Sequence, residues 1–300
     1  MTVGDAGNAA DTTAGYGAVA YEYNIARNET TISQYAAFLN AAAASDPYGL
    51  WTSGMSTDLN SAGISRSGSS GSYTYSVIGS GDRPITYVSW FDAARFVNWL
   101  HNGQGAGSTE TGVYNLNGAT SGIFTAQVGA TVWLPTEDEW YKAAYYDPTK
   151  NAGAGGYWLH ANRSDSMTSN LIGAVGAANY YDGDFAVTQS GSLSSGQNYL
   201  TDVGAYGTGS QSYYGTNDQA GNVREWNDAV ISGSSRGQRG GYWVNPESTL
   251  RSSVRVGNNP TFQNDAVGFR IAGAPVPIPE PSTLFLTVLF GAGCLCRRKR

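Results

Sequence analysis

Residues 213–226, YYGTNDQAGNVREW, constrain this chain more than any other stretch. Gly215, Asn217, Asp218, Gly221 and Asn222 are turn formers, because glycine reaches backbone angles closed to other residues and Asn and Asp bond their own main chain. Two acidic groups, Asp218 and Glu225, stand on either side of Gly221, and the bulky Trp226 follows at once. That order describes a loop folded around something. In one reading Asp218 gives a side-chain oxygen, the carbonyls of Gly221 and Val223 point inward, and Glu225 closes an all-oxygen ring of the kind calcium prefers. In the other the same residues are a surface turn satisfied by its own backbone.

Three more stretches have marked patterns: residues 83–100 (RPITYVSWFDAARFVNWL), residues 133–144 (WLPTEDEWYKAA), and the pair RGGYW at 239–243 with GFRIA at 268–272. With GNVREW at 221–226, they resemble the formylglycine-generating (sulfatase-modifying factor) family, whose signature is Gly-Asn-Val-Trp-Glu-Trp. Arg224 stands where that family has its first Trp. Four ordered motifs over roughly 190 residues are far more specific than any one of them. The resemblance implies an α+β domain, the sulfatase-modifying-factor variant of the C-type lectin-like fold, with short strands, about three helices and much ordered loop. It covers residues 1–273.

Composition agrees with a loop-rich folded domain. Forty glycines and 13% charged residues exclude a helical bundle, while 20 Tyr and 8 Trp supply the apolar area that disordered chains lack. The net charge is −6, and −10 once the basic residues 297–300 are set aside. A body that acidic lacks the phosphate-neutralising surface that nucleic acid requires. The only cysteines are Cys294 and Cys296, so no disulfide or cysteine-rich zinc site can form in the main domain.

The two ends read differently. MTVGDAGNAADTT has neither a positive nor an apolar segment, so no secretory signal is visible. At the other end a Pro-rich linker, residues 274–281 with its Pro-Glu-Pro, precedes an apolar segment and RRKR at 282–300. This resembles the PEP-CTERM sorting signal, which implies handling by an exosortase, transient membrane association, and export to the cell envelope, cell surface or extracellular matrix of a bacterium. It also implies a signal peptide, so the expected true N-terminus lies upstream of Met1. The other reading of the tail is a membrane anchor. About 15 apolar residues rise only about 22 Å as a helix, against roughly 30 Å of hydrocarbon, although flanking Arg and Lys can snorkel.

Along the chain, residues 20–24 read as a first strand. Thr31 with Gln34 forms a capping box for a helix ending before Asp46-Pro47, with Ile32, Tyr35, Phe38 and Leu39 on one face. Residues 73–77 read as a short strand and residues 83–88 as an edge strand entered at Pro84. Ser89 with Asp92 starts a second helix ending near His101. Residues 112–116 and 122–127 read as a strand pair, and Thr136 with Glu139 opens the third helix. Two distant histidines, His101 and His160, are expected to be solvated or capping.

In the family a first calcium site takes an Asn, the next carbonyl, a downstream acidic side chain and another carbonyl. The resemblance places these at Asn179, Tyr180, Asn198 and Leu200, with an amide where a carboxylate belongs. The second site falls on Asp218, Gly221, Val223 and Glu225. Family enzymes hold copper on two cysteines shortly after the RGGS-like motif, and Cu(I) needs thiolates. Here Asn245 and a residue near Glu247 or Ser248 occupy those positions, so no copper and no formylglycine chemistry are expected. The sequence has no HExxH, P-loop or CxxC. What remains is a non-catalytic exported binding or structural domain, braced by calcium and contacting a glycan or a protein. Trp243, Asn245, Arg251, Arg255 and Asn258 are its candidate ligand-binding residues, with core packing the other reading of Trp243. The alternatives are a sulfatase-modifying-type oxidase with an unrecognised site and a variable-loop binder.

Overall fold

Three capping boxes begin the three longer helices of the computed structural model, which describes residues 1–275. In α1 (Ile32–Ala42) the Thr31 hydroxyl accepts from Gln34 N and the Gln34 amide oxygen accepts from Thr31 N, so two orphan N–H groups are satisfied at once. Single helical turns occupy α2 (Gly54–Thr57) and α5 (Lys150–Gly153). Ser89 with Asp92 caps α3 (Trp90–His101), and Thr136 with Glu139 caps α4 (Glu137–Tyr145). The linker and apolar tail beyond residue 275 lie outside the described residues. Among those described, no helix is long and apolar enough to cross a membrane.

Two four-stranded sheets organise the rest. One runs β1 (Thr2–Val3), β2 (Tyr23–Ile25), β12 (Ala272–Gly273), β5 (Val132–Trp133), antiparallel throughout, so the two ends of the domain are stitched together. The other runs β10 (Val256–Asn258), β9 (Arg236–Arg239), β8 (Arg224–Val230), β11 (Val267–Phe269), with β11 parallel to β8. Two hairpins complete the set: β3 (Ile64–Ser67) with β4 (Thr74–Val77), and β6 (Tyr146–Asp147) with β7 (Gly156–Tyr157).

The main core lies between α1, α3 and the second sheet. Phe38, Phe96 and Phe269 meet edge to face, 5.4 Å and 5.3 Å apart, in the geometry that ring quadrupoles favour. Trp226 is fully buried there and donates to Val88 O at 2.9 Å.

Some expected strands did not form. Residues 83–88 make one bridge, Thr31 to Pro84, because Tyr87 sits at φ +59, where an extended ladder cannot continue. Residues 112–116 and 122–127 do not pair as strands. Asn98 on α3 takes both main-chain groups of Tyr114, accepting from its N–H at 2.7 Å and donating to its carbonyl at 2.7 Å. The first strand of the expected region is β2, displaced toward Ile25, where Tyr23 faces Val3 of β1.

Candidate functional site

The turn at residues 213–226 is built around residues in the left-handed region. Asp218 is at φ +58, Gly221 at +80 and Asn222 at +57. Gly221 has no substitute, since a Cβ there would lie 2.1 Å from Asn179 O. That close approach joins the two predicted cation loops: Asn179 and Gly221 form a parallel bridge, and Asn222 N donates to Asn179 O at 2.8 Å.

Asn222 is the hub. Its amide oxygen accepts from the Asn179 side chain at 3.0 Å and from Thr201 N at 3.1 Å. Its amide nitrogen donates to Glu29 Oε2 at 3.0 Å and Thr201 O at 3.3 Å. With no exposure at all, these bonds replace water that the side chain cannot reach.

Glu225 is spent. Its Oε1 accepts from Arg270 Nη2 at 2.7 Å, while Oε2 accepts from Arg270 Nε at 2.6 Å and Trp140 Nε1 at 2.8 Å. Both partners of this fork-to-fork ion pair are inaccessible to solvent. Arg270 also reaches Asn217 O, Ala26 O and Arg27 O, fastening the turn to the chain ahead of α1.

Burial is the first cause of the shifts around it. Desolvation, then the charges of Asp218 and Glu225, hold Glu29 well above the usual carboxylate range. Desolvation, with a push from Glu225, raises Asp218 to about 6 against the opposing Gly204 N–H and Arg270. Burial lowers Arg270, but Glu225, Glu29 and Asp218 outweigh it and the net shift is upward. One guanidinium thus answers two buried carboxylates, Glu29 and Glu225, and the half-buried Asp218.

Within the set of Asp218, Gly221, Val223 and Glu225, Glu225 is the poorest donor to a calcium ion, because Arg270 and Trp140 take three of its four lone-pair sites. Asp218 does have room. Its Oδ2 accepts from Gly204 N at 2.6 Å, while Oδ1 has no hydrogen-bond partner among the described residues. Asp218 shares a small pocket with Asn162, which is only 7% exposed and whose Oδ1 is also unpartnered. At the first predicted site three of the four oxygens already accept a hydrogen bond from a protein donor. Asn198 Oδ1 accepts from Leu200 N, Leu200 O from Arg83 Nε, and Tyr180 O from Asn170 Nδ2, while Asn179 approaches Tyr199 O rather than Asn198.

The five ligand-binding candidates divide among separate networks. Trp243 is a core residue, 3% exposed, stacked on Tyr199 at 4.9 Å and 6°. The Asn245 Oδ1 accepts from Tyr242 N at 3.2 Å and Arg224 Nη2 at 3.4 Å, so its amide closes its own turn. Arg251 pairs with Glu247, which also meets His160 Nε2 at 2.7 Å. Arg255 pairs with Glu137, which bridges to Arg239. Asn258 donates to Gln238. His160 is buried rather than solvated; desolvation lowers its pKa despite the adjacent Glu247.

Sequence reasoning missed Asn222, Glu29 and Arg270 as a working unit. The motif GFRIA marked Arg270, but Glu29 sits in a segment without periodicity and had no such signal.

The fold and this buried turn define a class. Residues 6–275 match the family model described as "Sulfatase-modifying factor enzyme 1-like domain", and the chain belongs to that family. No curated protein matches it. Among solved structures it is similar to Treponema denticola variable protein 1, at 19% identity over 85% of each chain with a TM-score of 0.50, which agrees with the fold. CarF, at 20% identity over 84% of this chain and 86% of that one, has a TM-score of 0.49. PvdO from Pseudomonas aeruginosa, at 19% identity over 85% and 81%, has 0.48.

Proposed function

We propose that this chain is a non-catalytic member of its family: an exported or surface-associated binding or structural domain whose ligand is a glycan or a protein. The observation that carries the reading is Asn245. Where the family resemblance puts a copper thiolate, this chain has an amide that ties down its own turn, and residues 1–293 contain no sulfhydryl. Amide oxygens are poor partners for Cu(I). Oxygen uptake by the purified chain with a cysteine-containing peptide, with copper and iron measured on the same sample, tests it. Neither uptake nor a stoichiometric redox metal is expected; uptake in the presence of copper would restore the oxidase.

Calcium bracing belongs to the proposal through Asp218 and the neighbouring carbonyls of Gly221 and Val223, supported by the open Asp218 oxygen. A cation bound only by the folded state raises its stability by mass action. Chelator is therefore expected to lower the Tm, and an unchanged Tm removes calcium from the proposal. The Pro-Glu-Pro linker, apolar run and basic end support delivery by exosortase-type machinery.

A further inference from the structure

A cleft of about 360 Å3 opens between residues 9–13 and the β6–β7 hairpin, on a part of the surface that none of the five candidate residues lines. Its walls include the rings of Tyr146 and Tyr157, with centroids 5.0 Å apart and planes tilted by 55°. Both hydroxyls are turned into the protein: Tyr146 donates to Asp5 Oδ2, and Tyr157 donates to Ala9 O and Gly17 O while accepting from Asn8. The rings are therefore fixed. Gly155 lets the main chain come up against them, since a Cβ there would lie 2.5 Å from the Tyr146 hydroxyl and φ is +77.

The rim has the opposite character. Thr12, Thr13 and Asn151 are exposed, and neither threonine hydroxyl nor Asn151 Oδ1 has a hydrogen-bond partner among the described residues. Asn151 and Ala152 are consecutive non-glycine residues in the left-handed region, at φ +57 each. Strain of that kind in an exposed loop is commonly stored where a ligand will use the geometry.

The lining also excludes ligands. Its aliphatic side chains are alanines only, so it offers no socket for the large apolar side chain of a peptide. Asp11 and Asp138 act on Tyr157, and Asp5 and Asp147 act on Tyr146. Nearby Lys142 and Lys150 are held by Asp5 O and Tyr157 O. Bonds to neutral carbonyls leave both lysines charged, so they offset two of the four carboxylates and the surrounding field is only weakly negative. What suits the half-exposed Tyr157 ring, mixed donors and acceptors, and little net charge is an uncharged molecule that has both hydroxyls and an apolar C–H face. We propose that this cleft binds a neutral glycan chain, its volume accommodating about two pyranose rings and lying near the lower end of the roughly 300–1,000 Å3 typical of small-ligand sites.

The inference rests on the binding reading above and deepens it. The test titrates the full chain by calorimetry with chitohexaose, cellohexaose and mannohexaose as neutral probes, polygalacturonate as the anionic one and a chitosan hexamer as the cationic one. Saturable binding of at least one neutral probe is expected, weakened about tenfold or more by Ala154→Trp, whose exposed indole fills the cleft. Asn151→Ala is expected to weaken it by a smaller factor, and Thr125→Ala, at an exposed position outside the cleft, to leave it unchanged. No saturable binding of any neutral probe, binding of the charged probes alone, or a neutral affinity untouched by both Ala154→Trp and Asn151→Ala would overturn it. Loss of this claim without oxygen uptake leaves the non-catalytic reading standing, whereas oxygen uptake removes that reading whatever the sugars do.

Discussion

Residues 31–145 and residues 158–223 of this chain are held together by different physics. The first segment has the three longer helices, begun by local caps; α1 and α3 pack through Tyr35, Phe38, Phe96 and Trp99 into one apolar core, and α4 packs Trp140, Tyr141 and Tyr145 into a second. Between Tyr157 and Arg224, among the described residues, the only helix is a 3-10 turn, Thr208–Ser210, and strand structure is limited to isolated bridges. That segment has only small apolar clusters, such as Phe185, Tyr199 and Leu200, and relies more on buried amides, with Asn162, Asn170, Asn179 and Asn222 each bonded to backbone that would otherwise be orphaned. An apolar core tolerates small shifts in its members. An amide hub does not, because each displaced bond leaves a desolvated donor or acceptor.

The sharpest way to break this contrast is Gly221→Ala. Its methyl would meet Asn179 O at 2.1 Å in a backbone conformation that L-residues disfavour. Left-handed strain and overpacking together are expected to cost on the order of 3–5 kcal/mol. Hydrogen exchange should rise first in residues 158–223, with α1 and α3 still protected. Uniform loss of protection would show that the two segments unfold as one.

The same contrast explains how much was legible beforehand. Capping boxes are written within four residues, so Thr31–Gln34, Ser89–Asp92 and Thr136–Glu139 could be read directly, and four ordered motifs placed the fold. The edge strand at 83–88 failed because Tyr87 turns left-handed to donate its N–H to Asn264 O, a partner far away in sequence. Glu225 was legible as an important acid. Its commitment to Arg270 was not, since pairing across 45 residues leaves no spacing rule to read. Trp243 could be placed near the family's active site, but only the structure shows it stacked in the core.

A pH titration comes next, read against Asp218 in the second segment, which is raised to about 6 as well. Asp92, in the capping box of α3, is buried, and desolvation raises it to about 6 even though Ser89 and Arg95 oppose the shift. The folded pKa lies above the unfolded value of 3.8, so the folded state binds the extra proton between the two and stability falls as pH rises from about 4 to about 6. The loss is at most about 3 kcal/mol for a shift of this size. Asp92→Asn should flatten that part of the profile in urea titrations. An unchanged slope would assign it to other carboxylates.

The smallest expected effect tests whether the capped segment is as local as it looks. Thr136→Ala removes the hydroxyl that accepts from Glu139 N at 3.2 Å, and N-cap truncations of this type cost about 1 kcal/mol. Glu139, however, has duties beyond the cap: its Oε2 also accepts from Trp133 Nε1 at 2.9 Å and its Oε1 from the Tyr21 hydroxyl at 2.8 Å. Those bonds do not need the Thr136 side chain, so the carboxylate should stay in place and the loss should remain near that of a simple cap. A loss several-fold larger would mean that the cap positions Glu139 for β5 and the N-terminal loop. The helical segment would then share the long-range polar bracing that distinguishes residues 158–223.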